Sequence, residues 1–289
     1  MADWEESVHA DGIQWVLDNG IMRGFNDGTF RPSYGLTRGQ FATTLKQFYD
    51  WATEPIEEPV DPPVEPPVEP PLTPPVDLTP MGSIYHADGK THRYENVFIT
   101  GRVTASGAGT RIEIVNFEID ADGHPYAVAG HTGSSPNDGV FLENGVVNGG
   151  EDGFKNSVST KFVTVQNLSR KYREGTGVTP HGDCHQMEGS AYATHKSSIF
   201  KARWREDNEM ANACFMLKTE RDGANQTIIV EDCLMEGGNY VVFLRDDHGF
   251  GEICDASFIL CEMVDGAWRY GPRSVTSGYD FNVWDVQYI

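Results

Sequence analysis

The chain has 289 residues, with 22 basic and 43 acidic side chains and a formal net charge of −21. That balance argues against nucleic acid or an anionic membrane surface as a partner, and no apolar run reaches the roughly 18 residues of a membrane span. The five cysteines (Cys184, Cys214, Cys233, Cys254 and Cys261) form no CxxC pair and read as buried thiols, not a disulfide framework. The opening "MADWEESVHADG" has neither a basic region nor an apolar core, so no signal peptide is expected there.

Residues 11–24 read "DGIQWVLDNGIMRG". Ile13, Val16, Leu17 and Met22 suit one helix face, and Asn19-Gly20 offers a stop. A turn-rich stretch, "GFNDGTFRPSYG", leads to a second expected helix, "LTRGQFATTLKQFYDWA". Thr37 followed three positions on by Gln40 forms a capping box, and Phe41, Leu45 and Phe48 supply the apolar stripe. This pattern, over about residues 3–50, resembles the S-layer homology motif. The resemblance implies binding to secondary cell-wall polysaccharide, with Arg38 in the place of the family's basic residue. Gly39 and Gln40 depart from the family pattern, and a purely structural role is the competing reading. The family builds one unit from three motifs, and one is visible here, so a homotrimer is the expected assembly.

Residues 57–80 read "EEPVDPPVEPPVEPPLTPPVDLTP". Proline fixes φ and donates no hydrogen bond, so helix and sheet are both excluded. The expected state is polyproline II, and 24 residues at roughly 3.1 Å each would span about 75 Å. The domains expected are thus residues 1–53, a linker over 54–80, and a third region over 81–289.

The third region carries six segments in one apparent register: "IEIVN" from Ile112, "VFLEN" from Val140, "VTVQN" from Val163, "IFKAR" from Ile199, "IIVED" from Ile228 and "FILCE" from Phe258. Alternating apolar places predict strands with one buried face, and repetition at roughly 28 residues predicts a stacked solenoid. Val140, Val163, Ile228 and Phe258 are expected to point inward at equivalent places. The fifth places (Asn116, Asn144, Asn167, Arg203, Asp232 and Glu262) are expected to face their counterparts in the next rung. Short second strands, "DGFK", "DCHQM", "NACFMLK" and "NYVVFL", lie between. The expected class is mainly β: a right-handed parallel β-helix joined by an extended Pro-rich linker to a small α-helical domain like the S-layer homology motif. The segments "TGRVT", "HGDCHQMEG", "NACFMLKTERD", "EDCLMEGGNYVVFLRD" and "WRYGPRS" also resemble right-handed β-helix proteins of actinobacteria and their phages. That resemblance implies a phage minor tail protein.

Glycoside hydrolases need paired carboxylates, and lyases need a base and a cation beside the sugar. Asp152 and Asp183 each open a second strand, so they are expected to stack, with Lys155 and Gln186 matching three places on. His181, His185 and Glu188 lie close by, and Lys218 and Arg245 match in later rungs. The catalytic candidates are Asp152, Asp183, His185 and Lys155. The glycan-contact candidates are Arg38, His181, Gln186, Glu188, Lys218 and Arg245. A solvated polar wall and Asp-Gly turn chemistry explain the same residues without a site, and His185 is then a core histidine. Trp204, Tyr240, Trp268 and Tyr270 are candidate sugar platforms or core residues. His181, Asp183 and His185 alternate and would share one strand face, which suits a metal, but no closed ligand set follows. No metal or cofactor is expected.

Two functions fit this layout, and the missing signal peptide and the lone S-layer motif favour the first. One is a homotrimeric virion protein, held by other virion proteins and reaching a host cell-surface polysaccharide. The other is a polysaccharide lyase or hydrolase anchored to the bacterial cell wall.

Overall fold

The computed structural model describes residues 10–18, 30, 44, 77–133, 135–218, 226–245, 254–275 and 281–289. Contacts divide the chain into two compact units, Met1–Val68 and Glu69–Ile289. In the first, helix α1 spans Ala10–Asp18 and buries Ile13, while Val16 and Leu17 are half-buried on the same side. Thr44 is helical. Arg38, the rest of the second expected helix and the linker over 54–76 lie outside the described residues. No described helix is long and apolar enough to cross a membrane.

The second unit is mainly β. Its strands are β1 (Thr79–Met81), β2 (Ile84–His86), β3 (Thr91–Thr100), β4 (Val103–Ala105), β5 (Arg111–Ala121), β6 (Tyr126–Ala129), β7 (Gly139–Gly149), β8 (Asp152–Lys155) and β9 (Val158–Gln166). They continue as β10 (Asp183–Met187), β11 (Ala191–Lys196), β12 (Ile199–Ala202), β13 (Ala213–Lys218), β14 (Gln226–Glu231), β15 (Leu234–Gly237), β16 (Tyr240–Arg245), β17 (Cys254–Met263), β18 (Gly271–Val275) and β19 (Val283–Tyr288). One sheet runs β18-β16-β13-β10-β8-β6-β4-β2. The other runs β1-β3-β5-β7-β9-β11-β14-β17, with β12 and β15 continuing its outer part and β19 pairing β17. Pairings between these strands are parallel, and each rung sends one short strand to the first sheet and one long or divided strand to the second.

The long strands bend at a single residue. Asn96, Asn116, Asn144, Phe162, Ser197, Asp232 and Leu260 occupy one column and have φ of 54°, 54°, 58°, 55°, 46°, 53° and 51°. Asparagine tolerates this left-handed geometry best among residues with a Cβ, and its amide also bridges rungs. Asn144 Nδ2 donates to Asn116 Oδ1 at 2.7 Å, and Asn116 Nδ2 to Asn96 Oδ1 at 3.1 Å. The Asn116–Asn144 contact is the one expected at the fifth place. Phe162 and Leu260, which offer no amide, point their side chains into solvent.

The six-segment register needs correction. Ile112 pairs with Val140, Val140 with Val158, Ala193 with Ile228, and Ile228 with Ala256. Val163 instead faces Gly145, Ile199 faces Thr164, and Phe258 faces Val230. The fifth-place residues Asn167, Arg203 and Glu262 therefore leave the corner column, and Phe162, Ser197 and Leu260 take those places. Val140, Val163, Ile228 and Phe258 are all fully buried, as expected, but not at equivalent places. Phe258 lies two places past its column's Ala256, a slip that a period of two leaves unpenalised, whereas Val163 and Ile199 fall beyond the bend, in the second half of their rungs.

Between the sheets, Ile112, Ile114, Phe117 and Ile119 of β5 are fully buried, and rungs above add an aromatic stack. Phe200 and Phe215 lie 4.7 Å apart between ring centres, and Phe215 and Phe258 5.5 Å. Cys184, Cys214, Cys233 and Cys261 are free, buried thiols, and burial pushes the Cys261 thiol up to about 11. They are core fillers at neutral pH.

Candidate functional site

The register His185↔Phe154 and Gln186↔Lys155 sets Asp183 directly over Asp152. The Asp183 N–H donates to Asp152 Oδ1 at 3.1 Å. Asn212 Nδ2 then donates to Asp183 Oδ1 at 2.8 Å, and Asn239 Nδ2 to Asn212 Oδ1 at 3.3 Å. A polar ladder thus climbs the edge of the short-strand sheet, acidic in its lower two members and amide in its upper two. Asp183 is fully buried, and its Oδ2 has no hydrogen-bond partner. Burial pushes the Asp152 carboxyl up to about 7, against the pull of the Lys155 ammonium. Burial and then the Asp152 charge push Asp183 well above the usual carboxylate range. Two acids so placed cannot easily both ionise, which favours the protonated form of one of them.

Lys155 is the cation beside Asp152. Its Nζ lies 3.1 Å from Glu188 Oε1 and 3.8 Å from Asp152 Oδ2. Burial works to lower its pKa, but the Asp152 and Glu188 carboxylates outweigh it and hold it above the ordinary value. Gln186 stands beside Lys155 on the next rung and is almost buried. Lys218 is close enough to lower the Asp183 pKa, and it pairs with Arg245 one rung on. The structure therefore gathers Asp152, Lys155, Asp183, Gln186, Glu188 and Lys218.

His185 does not belong to that edge, and the expected alternation with His181 and Asp183 fails. Cys184 packs in the core, and the His185 ring meets Phe154 and Phe215 there. His185 Nδ1 pairs with His195 Nε2 at 2.9 Å, and its Nε2 donates to the Asn156 carbonyl at 2.7 Å. His195 Nδ1 meets Thr160 Oγ1 at 2.8 Å, which meets Ser198 Oγ at 3.1 Å. Burial lowers His185 to about 4 and His195 well below its ordinary value, so both are neutral at pH 7. The competing reading of His185 as a satisfied core histidine is the one the geometry favours. His195 was not legible as its partner, because "AYATHK" shows no apolar run.

His181 lies before the strand and is exposed. Gly182 separates it from Asp183 at φ 56°, where an added Cβ would sit 2.1 Å from Trp204 Cη2. Only glycine allows both the left-handed bend and the close ring. His181 borders a cavity of about 390 Å³ together with Arg170, Trp204, Asn212, Asn239 and Arg269. The Arg170 guanidinium lies 5.0 Å from the Trp204 ring centre. Trp204 is buried and Trp268 packs on the core, whereas Tyr270 is 66% exposed and its ring lies 5.7 Å from that of Tyr240. Tyr240 stands in the same column as Asp152 and Asp183, above Ala213.

The first unit carries the decisive comparison. Residues 2–42 match the S-layer homology domain. That match points to association with a cell surface or cell wall. No curated protein and no solved structure matches the chain, so the chemistry of the second unit rests on its geometry.

Proposed function

We propose that the chain is a cell-wall-anchored surface protein whose second unit is a right-handed parallel β-helix, presenting the outer edge of its short-strand sheet to a polysaccharide. The anchoring part rests on the S-layer homology match. The polysaccharide part rests on one observation: the stacked pair Asp152–Asp183, with Lys155 and Glu188 at its solvent side. From Asp152 the column rises through Asp183, Ala213 and Tyr240 to Gly271 next to Tyr270. Four strand spacings of about 4.8 Å make a track of about 19 Å, long enough for several sugar rings. Acid, amide and ammonium groups at one end would take hydroxyls, and exposed Tyr270 at the other offers a ring face.

Binding is favoured over cleavage. Asp183 is fully buried and Asp152 nearly so, whereas hydrolysis requires two carboxyls that reach the scissile bond. A virion location, implied by the β-helix resemblance, has no matching relative behind it, and the anchoring match favours the wall.

The test uses the full chain and soluble fragments of wall polysaccharide. Asp152→Asn and Lys155→Ala should each weaken fragment binding about tenfold, the loss of one good polar contact. Arg38→Ala should reduce retention on whole walls and leave fragment binding on the second unit intact. Wild-type protein should release no sugar. New reducing ends would establish a hydrolase, and ultraviolet-absorbing unsaturated ends a lyase. If the chain neither binds nor alters any wall glycan, the edge is a structural stack. The homotrimer is part of the proposal too: light scattering on the full chain should report three chains, and a folded monomer overturns it.

A further inference from the structure

At the opposite end of the stack, polar groups occupy places that are apolar one rung on. His86 ends β2 and pairs with buried Ala105; His92 and Tyr94 of β3 pair with buried Ile112 and Ile114. β1 pairs only with Val97–Ile99, so among the described residues no strand lies beyond the first half of β3. The ring pair there is unusual. His86 and His92 lie face to face, 3.4 Å between centres and 7° from parallel. Asp88, in the turn between the strands, accepts from His92 Nε2 at 2.9 Å, and His86 Nε2 meets Tyr94 Oη at 2.7 Å. The turn is tied down: the Lys90 N–H donates to Asp88 Oδ1 at 3.2 Å, and the Gly89 N–H donates to Thr110 Oγ1 of the next rung at 3.0 Å.

We propose that His86, Asp88 and His92 form a binding site for a divalent transition-metal ion of the zinc class, which clips β2 to β3 at the open end of the core. The ligand atoms of the three residues all lie within 4.8 Å of one another. Ligands about 2.0–2.1 Å from a tetrahedral ion stand roughly 3.3 Å apart, near the 2.9 Å between His92 Nε2 and Asp88 Oδ1. Two imidazoles and one carboxylate suit zinc, nickel or copper, whereas calcium and magnesium take oxygen ligands. Binding needs each ring neutral with one nitrogen lone pair free for the metal, and the two stacked rings must tilt so that both lone pairs converge on the ion. The remaining coordination positions fall to water or to Tyr94. A simple polar lid would explain the two rings, but it gives no role to a carboxylate fixed in line with an imidazole edge.

The test is calorimetric titration of the full-length, chelator-treated protein with Zn²⁺, alongside thermal melting. One ion per chain should bind, and at a free concentration roughly 100 times Kd the melting temperature should rise about 5–10 °C. Mg²⁺ should produce no shift. His92→Gln and Asp88→Asn should each remove the shift; Asp88 sits on an exposed turn, so its variant tests the site even if His92→Gln disturbs folding. His124→Gln, elsewhere on the surface, should retain it. Co²⁺ in place of Zn²⁺ should give visible absorption bands of nitrogen and oxygen ligation that disappear in His92→Gln. Absence of stoichiometric Zn²⁺ binding, or a shift that survives in Asp88→Asn, overturns the proposal.

Discussion

Ile228→Asp is expected to destabilise the second unit by at least about 4 kcal/mol. Ile228 is fully buried and sits between Ala193 and Ala256, in the column that also holds Ile112, Val140 and Val158. None of those neighbours can pair a carboxylate, so the new charge would be uncompensated or would force protonation. For a unit of this size the loss corresponds to roughly 8–16 °C in melting temperature. A drop under about 2 °C would mean that position 228 does not face the core. Ile259→Asp provides the contrast: Ile259 pairs with Glu231 and is partly exposed, so its cost should stay near 1 kcal/mol.

Acid should weaken the fold through its buried histidines. His185 titrates at about 4 in the folded chain because burial opposes its charged form, against about 6.5 when unfolded. Between those values the unfolded chain binds more protons, so this contribution to stability is present above pH 6.5 and is lost as pH falls toward 4. The loss is about 3 kcal/mol for His185 alone, and His195, shifted the same way, adds to it. Asp152 works in the opposite sense. Its folded value is raised to about 7, so its contribution is present at low pH and fades as pH rises through 7. The clean measurement is therefore a difference. Denaturant unfolding of wild type and of His185→Leu/His195→Leu should converge by at least about 3 kcal/mol between pH 7 and pH 4. The variant should lose stability at pH 7, since the Asn156 carbonyl and the Thr160 hydroxyl give up partners. A constant gap across that range would show that the pair is charged or solvated in the fold.

These two tests fall on opposite sides of what the sequence made legible. Ile228 was readable because "IIVED" alternates cleanly ahead of an Asp at the corner. The neighbouring rungs were not, because their interiors are partly polar. β9 begins "VSTKF", and its inward Thr160 meets His195 and Ser198 where another rung has Leu142. The visible alternation in "VTVQN" belongs to the second half of that bent strand, so the alignment settled there. In β17 the larger Phe258 drew the register away from Ala256, which occupies the equivalent place. The acid ladder was legible for the converse reason: Asp152, Asp183, Asn212 and Asn239 each stand at the start of a short strand, and a polar residue there is easy to count. What counting could not supply was the facing of Cys184 and His185, both of which turn inward after Gly182.

The order of strand pairing also sets how the chain can acquire its fold. Among the described strands the widest separation between partners, as between Ala191 and Gln226, recurs in four pairings, and many partners stand closer, as Thr79 and Val97 do. Divided by a unit of roughly 210 residues, such separations give a relative contact order of about 0.1–0.15, in the range of mixed α/β domains and below that of sandwiches. Among the described residues, no strand pairs with one from the far end of the sequence. Once one pair has closed, each further rung is added at nearly the same loop-closure cost, so assembly can proceed as a zipper. A ribosome delivering residues in order would then present each new rung to one already formed, and the unpaired edge exposed at any moment would be a single strand wide.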